Sequence, residues 1–167
     1  DPPAPLLRYM AIELWLFRDA NWSLDFPTAA QHARKLYAIG QGHEPANVVA
    51  FDPYAVQMML EATGPVQVEG IAEPVSAQNV WDYLRNEHDQ QQGQQNPKEY
   101  IGRLANALLA QVNSGAARPN IWRLGLALRR ALRERHLLLD VASPQARALF
   151  ARYGWDGGVR PGSADFL

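Results

Sequence analysis

The sequence predicts a helix-rich α/β domain in which helices are layered on a small mixed or parallel sheet. The first indication is a strand, a helix and a second strand joined by short connections between Val48 and Val68. Such a βαβ unit is typical of α/β folds with a parallel component. The second is a series of segments with helical apolar spacing on both sides of this unit. The length of 167 residues fits a single domain over residues 1–167 with a sizeable core.

The segment before the βαβ unit is expected to be mostly helical. Leu6–Phe17 is ambiguous, because its apolar residues have helical spacing but its last three residues could form a short strand. Thr28 and Gln31 form a capping-box pattern, so a helix should begin there and end at Gly40.

The βαβ unit itself has clear boundaries. Val48–Phe51 is apolar throughout, which predicts a strand buried on both faces. Asp52 and Pro53 supply an N-cap and a first-turn proline for the following helix, which should end at Gly64. Val66–Val68 is then expected to be the second strand.

The rest of the chain is predicted to be four helices, one strand and one solvated loop. Proline and glycine positions give most of their limits. The helices are expected after Ser76, from Asn96 to Gly115, from about Asn120 to His136 and from Ser143 to Gly154, with a buried strand at Leu137–Leu139 and a glutamine-rich loop at Gln90–Gln95.

Composition excludes several classes of function. A net charge of -1 gives no general attraction to nucleic acid or acidic membranes, and we expect no nucleic-acid partner. The absence of cysteine excludes disulfides, thiolate metal sites and a cysteine nucleophile. No apolar run reaches the ~20 residues that a membrane span needs. The four histidines lack metal-ligand spacing and are expected on the solvated surface. The start at Asp1–Pro5 indicates a fragment of a longer protein.

The stretch Leu16–Pro27 concentrates polar residues between large apolar side chains. Because buried polar groups need partners, it is expected to be an ordered loop at the edge of a core, where sites are often built. In a structural interpretation, Arg18 pairs with Asp19 or Asp25, and nearby polar side chains satisfy the backbone of a tight turn.

The functional interpretation of the same stretch is an anion and metal site. The guanidinium of Arg18 could hold a phosphate through two parallel hydrogen bonds, and Asp19 could hold Mg²⁺ between two phosphates. Arg85, near the end of a predicted helix, would be the second basic arm. Both interpretations remain open on the residues alone.

Two other groups of residues have alternative interpretations. The arginines of the helix at 120–136 could bind phosphate, but their dispersed positions favour a solvated face. Trp15, Trp81 and Trp122 are expected at core positions, whereas Trp22 and Trp155 lie in predicted turns, where they could line a pocket.

Several motifs together resemble a bacterial family of unknown function. They are Arg18–Ser23 with Asp25–Pro27, Val49–Pro53, Glu61–Val66, Asn79–Leu84, His136–Leu139 and Gly154–Gly157. Members of that family are long membrane-anchored proteins that carry this domain outside the cytoplasm. The resemblance therefore implies an extracytoplasmic location, with membrane contact through a segment outside this fragment.

The same order of features resembles, more distantly, the LytR-CpsA-Psr cell-wall ligases. Phe17–Asp19 is similar to their proline-arginine-aspartate turn, Tyr83–Glu87 to their tyrosine-x-arginine-x-arginine motif, and Arg103 to a downstream arginine. Those enzymes use Mg²⁺ to transfer a phosphorylated glycopolymer from a polyprenyl pyrophosphate carrier onto peptidoglycan. The resemblance implies a fragment of a LytR-CpsA-Psr-like fold, a phosphotransferase activity in the full-length protein and a lipid-linked glycan as partner.

The predicted site follows from the loop and this resemblance. Its members share a charge, an amide or an indole that could face a diphosphate. The catalytic group is Arg18, Asp19 and Arg85, the ligand-binding group is Asn21, Trp22, Asp25 and Arg103, and the Mg²⁺ ligand is Asp19.

Two departures from the ligase pattern favour an alternative function. Glu87 stands where those enzymes have a second arginine, and Pro65 replaces a glycine. A carboxylate at that position would repel a phosphate unless a metal lay between them. The alternative is a non-catalytic extracytoplasmic scaffold or ligand-binding module, and the fragment alone is expected to be inactive.

Overall fold

A computed structural model describes residues 2–90, 99–115 and 121–160, without the side chains of residues 88–90. The chain divides into two compact units. The first unit combines Asp1–Ala50 with Leu138–Leu167, and the second unit is Phe51–Leu137. That the whole chain is one domain stays a prediction.

The described residues form seven α-helices, a 3₁₀ turn and a two-stranded sheet, which confirms a helix-rich α/β fold. The elements follow the chain in order. They are α1 (Ala4–Met10), the 3₁₀ turn (Phe17–Asp19), α2 (Phe26–Gln41), β1 (Val48–Phe51), α3 (Pro53–Thr63), α4 (Val80–Gln90), α5 (Glu99–Asn113), α6 (Ile121–Arg133), β2 (Leu137–Asp140) and α7 (Pro144–Tyr153).

Helix ends confirm the capping predictions for α3 and α7. Asp52 accepts a hydrogen bond from the Ala55 backbone N–H at 3.1 Å, and Ser143 caps α7 in the same way through Ala146 at 3.3 Å. A proline occupies the first turn of each helix. These side chains satisfy backbone donors that a helix N-terminus leaves unpaired.

The sheet differs from the predicted βαβ arrangement. β1 and β2 pair with each other and run antiparallel, since Asp52, just after β1, donates its backbone N–H to the carbonyl of His136, just before β2, at 3.1 Å. The prediction of a strand at Val66–Val68 is wrong. Val66 instead makes an isolated antiparallel bridge with Val75, because the chain turns back at Gly70 in the left-handed conformation (φ 79°).

The apolar sequence of β1 predicted burial on both faces, and this prediction is wrong. Val49 and Phe51 are 53% and 43% exposed, and they alternate with half-buried neighbours. A two-stranded antiparallel sheet can leave one face solvated, whereas the parallel sheet expected from the sequence would be covered on both.

The second unit contains one contiguous apolar core. Helix α3 packs against α6 and α4, and α4 packs against α5. The core joins α3, α4 and α5 to the bridged segment that follows α3. Its buried residues are Val56, Leu60, Val66, Val68, Val75, Ala77, Val80, Tyr83, Tyr100, Leu104 and Leu108.

Helix α6 departs from the predicted burial pattern. Trp122, expected at a core position, is 84% exposed, and Ile121 beside it is 53% exposed. Leu124 and Leu132, which helical spacing places inside, are buried, and so is Ala131. The buried line of α6 is therefore narrow, and the rest of the helix faces solvent.

Some predictions lie outside the described residues. They are the glutamine-rich loop at 91–95, the helix starts at Asn96 and Asn120, and the side chain of His88. Within the described ranges, no helix has both the length and the apolarity required to cross a membrane.

Candidate functional site

The loop predicted to carry the site begins with a compact 3₁₀ turn. The Asp19 carboxylate accepts the backbone N–H of Leu16 at 3.1 Å, which closes the turn from its own C-terminal end. The other oxygen of Asp19 lies 3.8 Å from Nε of Arg18. Asp19 is thus engaged by its own turn, as in the structural interpretation.

The end of the loop is fixed by Asp25. One carboxylate oxygen accepts both the backbone N–H of Thr28, at 3.1 Å, and its hydroxyl, at 2.5 Å, so Asp25 caps α2. The other accepts the backbone N–H of Val159 at 2.9 Å. These bonds, the Thr28 hydroxyl first, lower the pKa of Asp25 below its usual value. Asp25 therefore joins the loop to the chain after α7.

Aromatic side chains in and just before the loop pack against rings of α2. Trp22 stacks on the ring of His32 with centroids 5.9 Å apart, and its Nε1 donates to His32 Nδ1 at 3.2 Å. Trp15 meets the same imidazole edge-on at 4.9 Å. The rings of Phe17 and of Tyr37 on α2 meet edge to face, with their centroids 6.2 Å apart. We call Trp15, Phe17, Trp22, His32 and Tyr37 the aromatic cluster.

His32 is the centre of this cluster and is not the surface residue that the sequence predicted. Burial, and then the charge of Lys35, lower the pKa of His32. A neutral ring can accept the Trp22 N–H at Nδ1, whereas an imidazolium cannot. Trp15 Nε1 is buried without a hydrogen-bond partner among the described residues. A buried donor without a partner typically costs about 1–3 kcal/mol.

Arg18 projects from the turn into solvent. Its side chain is 79% exposed, and its contact with Asp19, at 3.8 Å, is a long one. Exposed pairs of this kind contribute little energy, so the guanidinium can exchange its partner for an anion. Asn21, two residues after the turn, is also exposed.

Arg85 and Arg103 lie in the second unit. Arg85, on α4, is 70% exposed and its Nη1 lies 3.9 Å from Asp82. Arg103, on α5, is bound more tightly, since it donates to Glu87 at 2.9 Å and to the carbonyl of Glu69 at 3.2 Å. Glu87 therefore accepts from the arginine that was expected to bind ligand. Convergence of Arg85 and Arg103 with the loop of the first unit stays a prediction.

That Asp19 holds Mg²⁺ stays a prediction. One oxygen accepts the Leu16 N–H, and the other faces the Arg18 guanidinium. Across residues 2–87, 99–115 and 121–160 no three histidine or acidic side chains are grouped to hold a metal. Hard cations such as Mg²⁺ are held by oxygen ligands, and Oδ1 of Asp19 accepts no hydrogen bond from the described residues.

The second unit contains a contact between a histidine and an aspartate that the sequence did not indicate. His136 Nδ1 lies 2.7 Å from Asp52 Oδ2, and the ring of Tyr54 lies 5.1 Å from the imidazole. Asp52 also caps α3, so this pair joins the two ends of the unit's chain segment. The predicted N-cap Asp52 was the available signal for this contact. A capping carboxylate uses one oxygen for the helix, so its other oxygen is available to a second partner.

Comparison with known proteins gives one match. A family model described as "Protein of unknown function (DUF4012)" matches residues 1–88 of the 167. The matched range includes the whole loop, the aromatic cluster and Arg85. No curated protein and no solved structure matches the chain.

Proposed function

The chain belongs to this family of unknown function, DUF4012, and we propose that it binds a phosphorylated glycan without catalysing its transfer. The ligand we propose is a polyprenyl-phosphate-linked glycopolymer of the bacterial cell envelope. The domain would act outside the cytoplasm as part of a membrane-anchored protein. The class of ligand and the location come from the resemblance described above, and the first unit supplies the physical support.

The observation that carries the proposal is the position of Arg18. Its side chain is 79% exposed on a turn closed by Asp19, in a loop whose far end is fixed by Asp25. A guanidinium presents parallel N–H donors that match a phosphate, and a fixed loop reduces the entropy lost on binding.

The aromatic cluster supports a glycan next to the phosphate. Phe17, the residue before Arg18, is 56% exposed, and Tyr37 beside it is 36% exposed. Aromatic rings offer apolar faces with polar edges, which suit the C–H faces and hydroxyls of a sugar. Trp22 is half-buried and oriented by its hydrogen bond to His32.

Binding is favoured over transfer by the contacts of the acidic residues. Asp19 and Asp25 each accept backbone N–H groups, and Glu87 accepts from Arg103. A phosphotransferase needs groups that neutralise the charge of the transferred phosphoryl group. In this loop Arg18 is the positive charge that could contact a phosphate, and the carboxylates of Asp19 and Asp25 are used to hold the local structure. One arginine is enough to bind a phosphate, whereas transfer would need further neutralising groups.

A phosphotransferase in the full-length protein is the second candidate. It is favoured by Arg85, whose 70% exposure and long contact with Asp82 leave its guanidinium accessible. If Arg18 and Arg85 act on one diphosphate, they would stabilise the charge of the transferring phosphoryl group.

Binding of a polyprenyl phosphate carrying a short glycan, in detergent micelles, tests the proposal. We expect saturable binding by calorimetry that does not need Mg²⁺, and Arg18→Ala should weaken it at least about tenfold. The control is Arg152→Ala, an exposed arginine of α7 in the same unit. Both variants should keep the melting temperature of the parent chain.

Three results would count against glycan binding at this loop. They are unchanged affinity of the Arg18 variant, equal loss in both variants, and no binding to the probe. Binding that requires Mg²⁺ and is followed by release of the glycan would support the phosphotransferase instead.

A further inference from the structure

The outward side of α6 combines exposed apolar residues with arginines. Trp122, Leu126, Arg129 and Arg133 follow one another at spacings of four, three and four, so they form one line on the helix. Trp122 is 84% and Leu126 64% exposed. We call these four residues, with Arg123 and Arg130 beside them, the outer face of α6.

The charge of this face is concentrated and mostly unpaired. Arg130 has an ion pair with Glu134 at 3.0 Å. For Arg123, Arg129 and Arg133 the described residues supply no ion pair. The chain as a whole has a net charge of -1, so the positive charge of α6 is a local feature that the average conceals.

A cleft between α3 and α6 extends the same face. It has a volume of about 260 Å³ and apolar walls from Met58, Ala62, Leu126 and Ala127. Arg123, Arg130 and one acidic residue, Glu61, also line it. The cleft therefore offers an apolar surface next to two guanidinium groups.

We propose that the outer face of α6 binds the surface of a bilayer containing anionic phospholipids. Helices that lie in the membrane interface combine basic residues with tryptophan and leucine. The arginines would contact lipid phosphates, with their methylene stems along the apolar boundary. Trp122 and Leu126 would enter the layer between headgroups and acyl chains, where an indole has both apolar and polar neighbours.

The apolar residues decide between a bilayer and another polyanion. A nucleic acid would satisfy the arginines through its phosphates. It offers no apolar layer for Leu126, which stands in the same line as Arg129 and Arg133. A bilayer satisfies both kinds of side chain.

This inference is independent of the glycan proposal, because it concerns a different unit and different residues. Loss of Arg18 should leave vesicle binding unchanged. Changes on α6 should leave binding of the micellar glycan probe unchanged. The two proposals can therefore fail separately.

Vesicle flotation of the full 167-residue chain tests the inference. We expect partition into vesicles of phosphatidylglycerol and phosphatidylcholine to exceed partition into phosphatidylcholine alone by at least about tenfold at low salt. Raising the salt from about 0.05 M to about 0.5 M should reduce this difference, because screening weakens the charge contribution.

Matched variants separate the outer face from general charge and apolarity. Arg129→Glu with Arg133→Glu should reduce partition at least about tenfold, since each lost arginine costs about fivefold. Arg152→Glu, the same change on α7, should stay within about twofold of the parent chain. Leu126→Ala should reduce partition about threefold or more, but Leu109→Ala, at a similarly exposed leucine of α5, should not.

Circular dichroism and a melting curve verify that each variant is folded. The changed residues are exposed, so folding should be retained. The proposal is overturned by equal binding to neutral and anionic vesicles, by no binding to either, or by full binding of the double charge-reversal variant. Binding to a single-stranded RNA in place of vesicles also overturns it, in favour of a nucleic-acid partner.

Discussion

The two compact units bury different kinds of side chain. The second unit surrounds one cluster of large apolar residues, with Leu60, Val66 and Val80 at 2% exposure or less. In the first unit the buried apolar residues are Leu6, Ala20, Ala29 and Ala30 among those described. Alanine buries little surface, so hydrophobic burial contributes less there.

Charged and polar bonds occupy the place of that apolar core in the first unit. Arg34 and Asp140 form an ion pair with side chains only 11% and 7% exposed, and Arg147 approaches the same carboxylate at 3.7 Å. Asp156 binds Arg160 through both carboxylate oxygens. The first unit therefore depends on pairing between specific groups, whereas the second depends on packed apolar volume. Each dependence can be tested by substitution.

The largest effect should follow removal of the carboxylate of Asp140. Asp140→Ala leaves the buried Arg34 with only the more exposed carboxylate of Glu44, 3.6 Å from its Nε. Breaking a buried ion pair typically costs about 3–5 kcal/mol of unfolding free energy. Urea unfolding measures the loss. Asp82→Ala is the control, because its pair with Arg85 is exposed and should contribute less than about 1 kcal/mol.

The double variant Arg34→Met with Asp140→Leu sharpens this result. Replacing both charged side chains by apolar ones removes the buried guanidinium that Asp140→Ala leaves without its main partner. Much of the lost stability should therefore return. If the double variant is no more stable than Asp140→Ala, the contrast between the two units is wrong.

A cavity in the second unit should have the next largest effect. Leu60→Ala removes a side chain that is 2% exposed in the apolar cluster, which typically costs about 2–5 kcal/mol. Leu109→Ala, at a 60% exposed leucine, should cost less than about 0.5 kcal/mol. Hydrogen exchange should show the loss of protection in residues 51–137 first.

Gly157 tests close packing in the first unit. It has φ of 63°, and an added Cβ would lie 3.0 Å from Leu138 and from Phe26. Gly157→Ala should therefore cost about 1–3 kcal/mol through both strain and crowding. Gly154→Ala has a similar φ of 70° but open space, so it isolates the strain. Equal melting temperatures for the two variants would contradict the packing argument.

The smallest expected effect is the acid sensitivity of the first unit. Hydrogen bonds lower the pKa of Asp25. Burial alone would raise the pKa of Asp156, but the bonds from Arg160 and from the Gly158 backbone N–H together outweigh it and lower this pKa. A carboxyl with a lowered folded pKa adds stability above its unfolded value of 3.8 and loses it as the pH falls through the folded pKa.

Urea unfolding at pH 7 and pH 3 measures this sensitivity. Asp25→Asn keeps a capping side chain but no charge, so it should reduce the loss of stability at pH 3 by less than about 1 kcal/mol. Glu13→Gln, at an exposed position, should leave the loss unchanged. An unaltered pH dependence in Asp25→Asn would show that this carboxylate does not carry it.

Local signals predicted the elements whose ends are determined by neighbouring residues. Asp52 and Pro53 gave the start of α3, and Ser143 gave that of α7, because a cap needs only the next three residues. The strands Val48–Phe51 and Leu137–Asp140 were also found. Their pairing was not, since an antiparallel sheet between distant segments leaves no local signal.

The candidate site was predictable only in part for the same reason. The loop and the pairing of Arg18 with Asp19 depend on neighbours in the chain. The bond from Val159 to Asp25 and the ion pair of Arg103 with Glu87 join residues far apart in sequence. The exposure of Trp122 was missed because a helical pattern does not state how wide its buried side is.

The bond between His136 and Asp52 bears on how this chain can be re-engineered. The second unit is one continuous segment, and its termini meet where Asp52 donates its backbone N–H to the carbonyl of His136 at 3.1 Å. A segment with adjacent termini can be grafted into a surface loop of another protein or given new ends by circular permutation. The apolar unit of this chain therefore has the geometry of a transferable module.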